Sequence, residues 1–496
     1  MARTNAGDRS GPLGPEQVPT GVPGLDRLLS GGLRRGSLHV VLGGPGAGKS
    51  VLAHQIGAGM IRMGGKVLYL TGLVETHQTL ITQARTFRFF DPAFVPGAFY
   101  YAGLYPTLAG GGLEGAGEEI RRLVVHHAPS LVILDGVHAL KDAARDRLDY
   151  QRFMHGLEAQ AAVGGVTTLL LAHPPEGGIA SDPTFTIADA IFEMGTEEVR
   201  LRQVRMFSVV KLRGVAHVSG RHAFRITAEG IEIYPRMEAI VTSAATVSDS
   251  PPQDASDEML DLQVDGLAGM LGGGLARDSV TLMVGTPGSG KTLLGISFLT
   301  AGAEAGEPGL FFGYHEAPQA LLQKAAAVDL PLRRHIEEGR IHLYWRIPTE
   351  LLADQEMQRL LEMVERHGIR RVVIDALEDV RQAVIPRERE LTFLSGLTHR
   401  LREARVSTIL MQDLERIVGL NFDLPMAELS AMLDNVLHLR YVEQKGELKR
   451  LISVLKVRAR EHDHRLRELQ ISGKGLKVGK PYDRQELVLT GLGISR

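Results

Sequence analysis

Two stretches of the chain, Gly43-Gly44-Pro45-Gly46-Ala47-Gly48-Lys49-Ser50 and Gly285-Thr286-Pro287-Gly288-Ser289-Gly290-Lys291-Thr292, follow one rule: glycine, four residues, Gly-Lys, then a hydroxyl. Glycines at these positions let backbone N–H groups turn inward around phosphate oxygens. Lys49 and Lys291 would reach the β- and γ-phosphates of a nucleotide, and the Ser50 and Thr292 hydroxyls would bind Mg²⁺. Each loop follows an apolar run and opens a helical pattern, so the positive end of a helix faces the anion. One such loop is a common turn, whereas two in register point to phosphate chemistry.

Further residues recur in pairs. Asp135 ends the run Leu131–Leu134, and Asp375 ends Val372–Ile374. An acid at the tip of a buried strand holds Mg²⁺ or its waters; the alternative is a cap on the next turn. Glu75 and Glu316 follow the second strand of each half and are candidates to orient an attacking water; a solvated loop glutamate is the bland reading. Lys211-Leu-Arg213 and Lys456-Val-Arg458 close apolar runs. Residues i and i+2 of a strand share a face, so each pair presents two cations together, either to a nucleotide across a subunit boundary or to solvent at a sheet edge. Their matched positions favour the first. His173 and Gln412, after the fourth strands, are phosphate sensors or plain polar strand ends. His462 and His464 have no third metal ligand in view and read as exposed histidines.

The spacing of these pairs shows the architecture that must hold them. Lys291 − Lys49 is 242, Asp375 − Asp135 is 240 and Lys456 − Lys211 is 245. A near-constant offset across whole halves means a duplicated domain. The expected organisation is a disordered leader 1–13, a first domain 14–240, a small, polar, Pro-containing linker 241–257, a second domain 258–480 and a tail 481–496. In the first half, 38–42, 66–71, 130–135 and 167–172 read as buried strands, and VTLMV, GLFFGY, RRVVID and STILMQ take the matching places. Runs rich in Val, Leu and Ile without alternation suit a mainly parallel sheet covered on both faces. Leu52, Ile56 and Met60 share one face of the helix after Lys49. The fold class is α/β, with each loop at the carboxyl end of a strand.

Composition sets limits. The 496 residues carry 56 Lys and Arg against 58 Asp and Glu, a net charge of −2, which argues against a globally cationic nucleic-acid binder. Residues 440–484 are locally basic, with 13 Lys and Arg against 6 Asp and Glu, and read as a solvated face plus the phosphate-facing pair. With no cysteine there is no disulfide, thiolate zinc site, iron–sulfur cluster or catalytic thiol. No apolar run approaches the roughly 20 residues of a membrane span, and the start has no signal-peptide core. A cytoplasmic location is expected.

The tandem phosphate loops, Gly21-Val-Pro-Gly-Leu-Asp26 upstream of the first, Lys211-Leu-Arg-Gly214 with His217 shortly after, and Leu437-His-Leu-Arg-Tyr-Val-Glu443 resemble the KaiC family, double-domain relatives of RecA, over about residues 14–480. The resemblance implies two tandem RecA-like domains stacked as two tiers of a homohexamer. ATP would lie between protomers, with Lys211, Arg213, Lys456 and Arg458 supplied in trans, and unidentified regulatory proteins would be partners. It also implies hydrolysis in the first domain and, in the second, reversible phosphorylation of a Ser-Thr pair. The chain departs from that pattern. The family's first glutamate after the second strand is replaced by Val74 and His315, and only Glu75 and Glu316 remain. His315 is a competent acceptor near neutral pH; Val74 is not. The acceptor pair falls at Ser430 and Ala431, which leaves one hydroxyl.

Three readings follow. The first is a slow, Mg²⁺-dependent ATPase acting as a regulatory, timing or signalling switch, with residual serine autokinase activity open. The second is a RecA- or RadA-like DNA-dependent ATPase of recombination or repair, which the charge balance does not favour. The third is a scaffold that uses ATP only to assemble.

Overall fold

The near-continuous Val, Leu and Ile runs form strands buried along their whole length in both halves. The computed structural model describes residues 16–72, 77–175, 178–199, 201–244, 258–414, 431–444 and 447–482. Contacts divide the chain into two compact units, Met1–Ala239 and Ile240–Arg496. The predicted leader lies outside the described residues. Of the predicted linker, residues 241–244 belong to a helix, Met237–Ala244, and 245–257 lie outside. The last strand ends at Pro481, and 483–496 lie outside.

The first unit is built on one nine-stranded sheet: β1 Leu38–Gly43, β2 Val67–Thr71, β3 Phe99–Gly103, β4 Leu131–Asp135, β5 Thr167–Ala172, β6 Ala190–Val199, β7 Arg202–Leu212, β8 Arg221–Thr227 and β9 Gly230–Tyr234. Their order is β9-β8-β7-β6-β1-β5-β4-β2-β3. Strands β1 to β6 pair in parallel, and β7 to β9 extend the sheet antiparallel. The second unit repeats this with β10 Val280–Gly285, β11 Gly309–Gly313, β12 Ile341–Trp345, β13 Arg371–Asp375, β14 Ser407–Asp413, β15 Asn435–Gln444, β16 Glu447–Val457, β17 Arg467–Ser472 and β18 Gly475–Pro481. Its order, β12-β11-β13-β14-β10-β15-β16-β17-β18, is the same topology. Both sheets are the mainly parallel, RecA-like α/β layers expected; the antiparallel extensions are the added finding.

Alternate residues of the parallel strands enter opposite layers, as a pleated strand requires. In the first unit Val41, Tyr69, Ile133 and Leu169 pack with Leu52, Ile56 and Met60 of helix α1, Lys49–Arg62. Val40, Leu42, Leu68, Leu70, Val132 and Leu134 pack on the other face with Ile120 of α2, Tyr105–His127, and Met154 and Leu157 of α3, Arg147–Gly164. No helix among the described residues is long and apolar enough to cross a membrane.

One buried group makes this core acid-sensitive. His39, on β1, is fully buried, with Nε2 2.7 Å from Ser37 Oγ and its ring stacked on Phe192. Burial pushes its pKa down to about 4. The unfolded chain therefore binds a proton that the folded chain refuses, so stability is lost as pH falls from the ordinary histidine value towards 4. Between pH 7 and 5 the loss is about 2 kcal/mol from this residue. His39→Gln is expected to lower that pH sensitivity in urea titrations; equal slopes in both chains would reject the assignment.

Candidate functional site

Each phosphate loop joins the carboxyl end of a central strand, β1 or β10, to a helix, α1 or its counterpart Lys291–Glu304. The last loop glycine adopts a left-handed backbone, φ 104° at Gly48 and 108° at Gly290, which only glycine takes without strain. Lys49 Nζ donates to the Gly43 and Gly44 carbonyls at 2.6 and 3.0 Å. Lys291 Nζ donates to Gly285 O and Thr286 O at 2.9 and 3.0 Å. The Ser289 and Thr286 side-chain oxygens are buried in the loop without a partner.

The strand-tip aspartates come to the loop hydroxyls. Ser50 Oγ is 3.3 Å from Asp135 Oδ2, and Thr292 Oγ1 is 3.4 Å from Asp375 Oδ2. A hydroxyl beside a carboxylate at the foot of a phosphate loop is an oxygen donor set suited to Mg²⁺. Burial, with Glu316 and Asp413 nearby, pushes Asp375 up to about 6, against the pull of Lys291.

Around Asp135 the structure adds a network that no motif announced. Tyr69 Oη donates to Asp135 Oδ2 at 2.6 Å. His54 Nδ1 donates to Ser50 O at 2.6 Å, which leaves Nε2 to accept from Tyr101 Oη at 3.1 Å. Burial lowers the His54 pKa, so the neutral ring fits this pattern. The strand registers put Phe311 where Tyr69 stands and Leu343 where Tyr101 stands. Ile296 takes the place of His54, five residues after the loop lysine. None of these three residues can make the corresponding hydrogen bonds with its side chain, so among the described residues the second half lacks this network.

Each Lys-x-Arg pair is anchored to backbone carbonyls of its own unit. Lys211 Nζ donates to Phe185 O and Thr186 O at 3.1 and 3.0 Å, and Arg213 to Thr186 O and Ile187 O at 3.0 and 3.3 Å. In the second half Lys456 donates to Leu433 O at 2.9 Å and Arg458 to Ala431 O at 2.6 Å. A β-bulge precedes each lysine: the register slips at Val210 in β7 and at Leu455 in β16. A bulge re-aims the following side chains. Asp189 and Asp434, which the sequence reading missed, tie the segment to the sheet: their carboxylates accept from Leu38 N and Val280 N, and their carbonyls from Arg213 N and Arg458 N.

Other expected residues are placed differently. His315 Nε2 lies 2.7 Å from Asp379 Oδ2, and Glu316 is paired with Lys324. Gln412 lies within β14, and Asp413 rather than Gln412 is the counterpart of His173. Asp413 Oδ1 is 2.6 Å from Lys291 Nζ. In the basic 440–484 stretch, Arg465 and Arg467 both bind Asp463, and Arg450 stacks on Tyr441. Val74, Glu75 and Ser430 lie outside the described residues.

A duplicated, loop-bearing α/β unit of this topology meets a known family twice: the profile of the KaiC ATPase matches residues 18–238 and again 261–483. The chain belongs to the KaiC family of ATPases. Among curated KaiC relatives, the circadian clock protein KaiC3 of Synechocystis is 27% identical over 501 residues, covering 96% of this chain and 94% of the relative. The circadian clock oscillator proteins KaiC of Picosynechococcus and of Rippkaea orientalis are 26% and 25% identical, each across 96% of this chain and 92% and 91% of their own. Family membership makes the chain an ATPase in class and does not favour the recombinase reading.

Proposed function

We propose that this KaiC-family chain is a slow, Mg²⁺-dependent ATPase that binds ATP at both phosphate loops, assembles as a homohexamer with ATP between protomers, and acts as a switch read by protein partners. The observation that carries the reading is the paired placement of lysine, hydroxyl and strand-tip aspartate in both halves. Gly43, Gly44, Gly46, Ala47 and Gly48, with Gly285, Thr286, Gly288, Ser289 and Gly290, would wrap the phosphates. Ser50 with Asp135, and Thr292 with Asp375, would hold Mg²⁺, which supplies neutralisation of phosphate charge. Glu75, and Glu316 or His315 through its free Nδ1, would orient water. Lys211, Arg213, Lys456 and Arg458 would stabilise charge in the transition state. Turnover is slow because Val74 and His315 stand where the family has a glutamate, and losing a base costs about 10²- to 10⁴-fold. The circadian names of the relatives make a timing or signalling role the natural output.

Incubation with γ-labelled ATP and Mg²⁺, following label into free phosphate and into the chain, tests this. Free phosphate alone means an ATPase switch. Label mapped to Ser430 means that a one-site autokinase accompanies it. Assembly in ATP with neither product would leave a scaffold and reject the ATPase reading.

Tyr69 gives a sharper test of the first site. Partners that orient a metal-binding carboxylate are worth roughly 10- to 100-fold in metal affinity or activity. In a Lys291→Ala chain, which isolates the first site, Tyr69→Phe is expected to raise the Mg²⁺ needed for half-maximal turnover about tenfold. An unchanged Mg²⁺ dependence would make Tyr69 a packing residue.

A further inference from the structure

The two halves can be compared residue by residue beside the loop lysine, and there they differ in charge. The β10–β14 ladder pairs Gly285, the first loop residue, with Asp413. The β1–β5 ladder pairs Leu42 with Ala172, so the next residues, Gly43 and His173, stand in the same relation. Asp413 Oδ1 holds the Lys291 ammonium at 2.6 Å. His173 packs its ring against His138, with centroids 5.4 Å apart. Burial first, then the charge of Lys49, lowers the His173 pKa, so a neutral ring stands near the first lysine.

The surroundings sharpen the contrast. In the second half Glu316, Asp413 and Lys291 all lie within electrostatic reach of Asp375. In the first half Asp135 has Tyr69 and Ser50 as hydrogen-bond donors, and among the described residues His173 stands near Lys49, His138 and Asp135; Glu75, the counterpart of Glu316, lies outside them.

We infer that the residue at this position sets nucleotide selectivity: Asp413 makes the second site discriminate less in favour of ATP over ADP, whereas His173 leaves the first site selective for the triphosphate. The argument rests on both loops binding nucleotide. A loop lysine serves the β- and γ-phosphates. A carboxylate fixed on the same ammonium competes for that cation and repels the terminal phosphate, which carries the most charge. ADP has no γ-phosphate and meets less of this repulsion. The Asp413 side chain is 56% exposed, so solvent screens the effect to roughly tenfold in affinity. The first site would then fill with ATP, while occupancy of the second would follow the ratio of ATP to ADP.

The experiment uses full-length chains and calorimetric titration with ATP and with ADP, both in Mg²⁺. Lys49→Ala reports the second site alone, and Lys291→Ala the first. The ratio of ADP to ATP dissociation constants is expected to be about tenfold smaller for the second site than for the first. Adding Asp413→Asn to Lys49→Ala should raise that ratio about tenfold, chiefly through tighter ATP binding. Adding His173→Asp to Lys291→Ala should lower the first site's ratio. If Asp413→Asn leaves the ratio unchanged, or weakens ATP binding, the inference is overturned; weakening would mean that the carboxylate supports the triphosphate. If Lys49→Ala binds neither nucleotide while Lys291→Ala still binds, the two-site reading itself fails. His173→Asp then tests the charge argument at the first site, and an unchanged ratio there rejects it.

Discussion

Calorimetric titration with ATP and Mg²⁺ is expected to give two nucleotides per chain, one in Lys49→Ala, one in Lys291→Ala and none in the double variant. Each lysine already lies against its own loop, with two carbonyls accepting from its ammonium in either half. The side chain needs to turn only locally to exchange carbonyl oxygens for phosphate oxygens, which are stronger, charged acceptors. Two charge-assisted bonds are worth about 1.5–3 kcal/mol each, so their loss weakens binding on the order of 10²- to 10⁴-fold. The two sites lie in separate units with separate sheets, so the losses should be independent within each chain. The carbonyl contacts suggest one competing account, in which alanine merely loosens the loop. Lys49→Met and Lys291→Met, which keep the apolar stem, would then bind nearly as well as the unaltered chain. Equal losses with Ala and Met assign the effect to the charge. Retention of two tight sites in either single variant would remove that loop from the nucleotide reading.

The parts legible in the sequence are those whose chemistry fixes local spacing. A phosphate loop must place its glycines, lysine and hydroxyl within eight residues, so both copies and the strand–loop–helix around them could be read directly. Asp135 and Asp375 were readable because each ends an unbroken apolar run, and Leu52, Ile56 and Met60 because helical period alone puts them in the core. The doubling made each weak signal count twice. The parts not legible depend on register between distant strands. Tyr69 and Tyr101 lie in apolar strands where aromatic residues belong on packing grounds, and only the sheet order β4-β2-β3 brings them towards Asp135 and His54. The bulges at Val210 and Leu455 leave no trace such as a glycine, since any residue can be the extra one. Asp189 and Asp434 belong to no motif, and only the folded sheet shows what they bind.

Asp413 is a different kind of omission. The offset of 240 that relates Asp135 to Asp375 also carries His173 to 413, because the following strand keeps the same spacing. Pairing His173 with Gln412 instead broke that offset by one residue. On a strand, one residue is the difference between the two faces, so the slip concealed a charged difference beside the loop lysines.

The largest effect on turnover is expected at the Lys-x-Arg segments, where two roles make opposite predictions. Arg213 and Arg458 close the carbonyls of neighbouring loops and helix ends through hydrogen bonds to Thr186, Ile187 and Ala431, and each pairs with its aspartate, Asp189 or Asp434. A purely local clamp would need no exposure, yet the Arg213 and Arg458 side chains are 48% and 49% exposed. In each half a bulge immediately precedes the lysine of the pair, and a bulge re-aims the side chains that follow it. An arginine that meets transition-state charge across a subunit boundary is worth about 10³- to 10⁵-fold in kcat. Arg213→Ala in a Lys291→Ala chain is accordingly expected to lower phosphate release at the first site about 10³-fold with little change in ATP affinity. Mixing separates the roles. Chains carrying Arg213→Ala and chains carrying Lys49→Ala, both with Lys291→Ala, are each inactive at the first site. In co-assembled rings, about one interface in four joins an intact loop to an intact arginine from its neighbour. Recovery of activity on mixing requires the arginine to act in trans, because no single chain in the mixture holds both intact groups. A local clamp gives no recovery at any ratio, since every chain then lacks one group its own site needs.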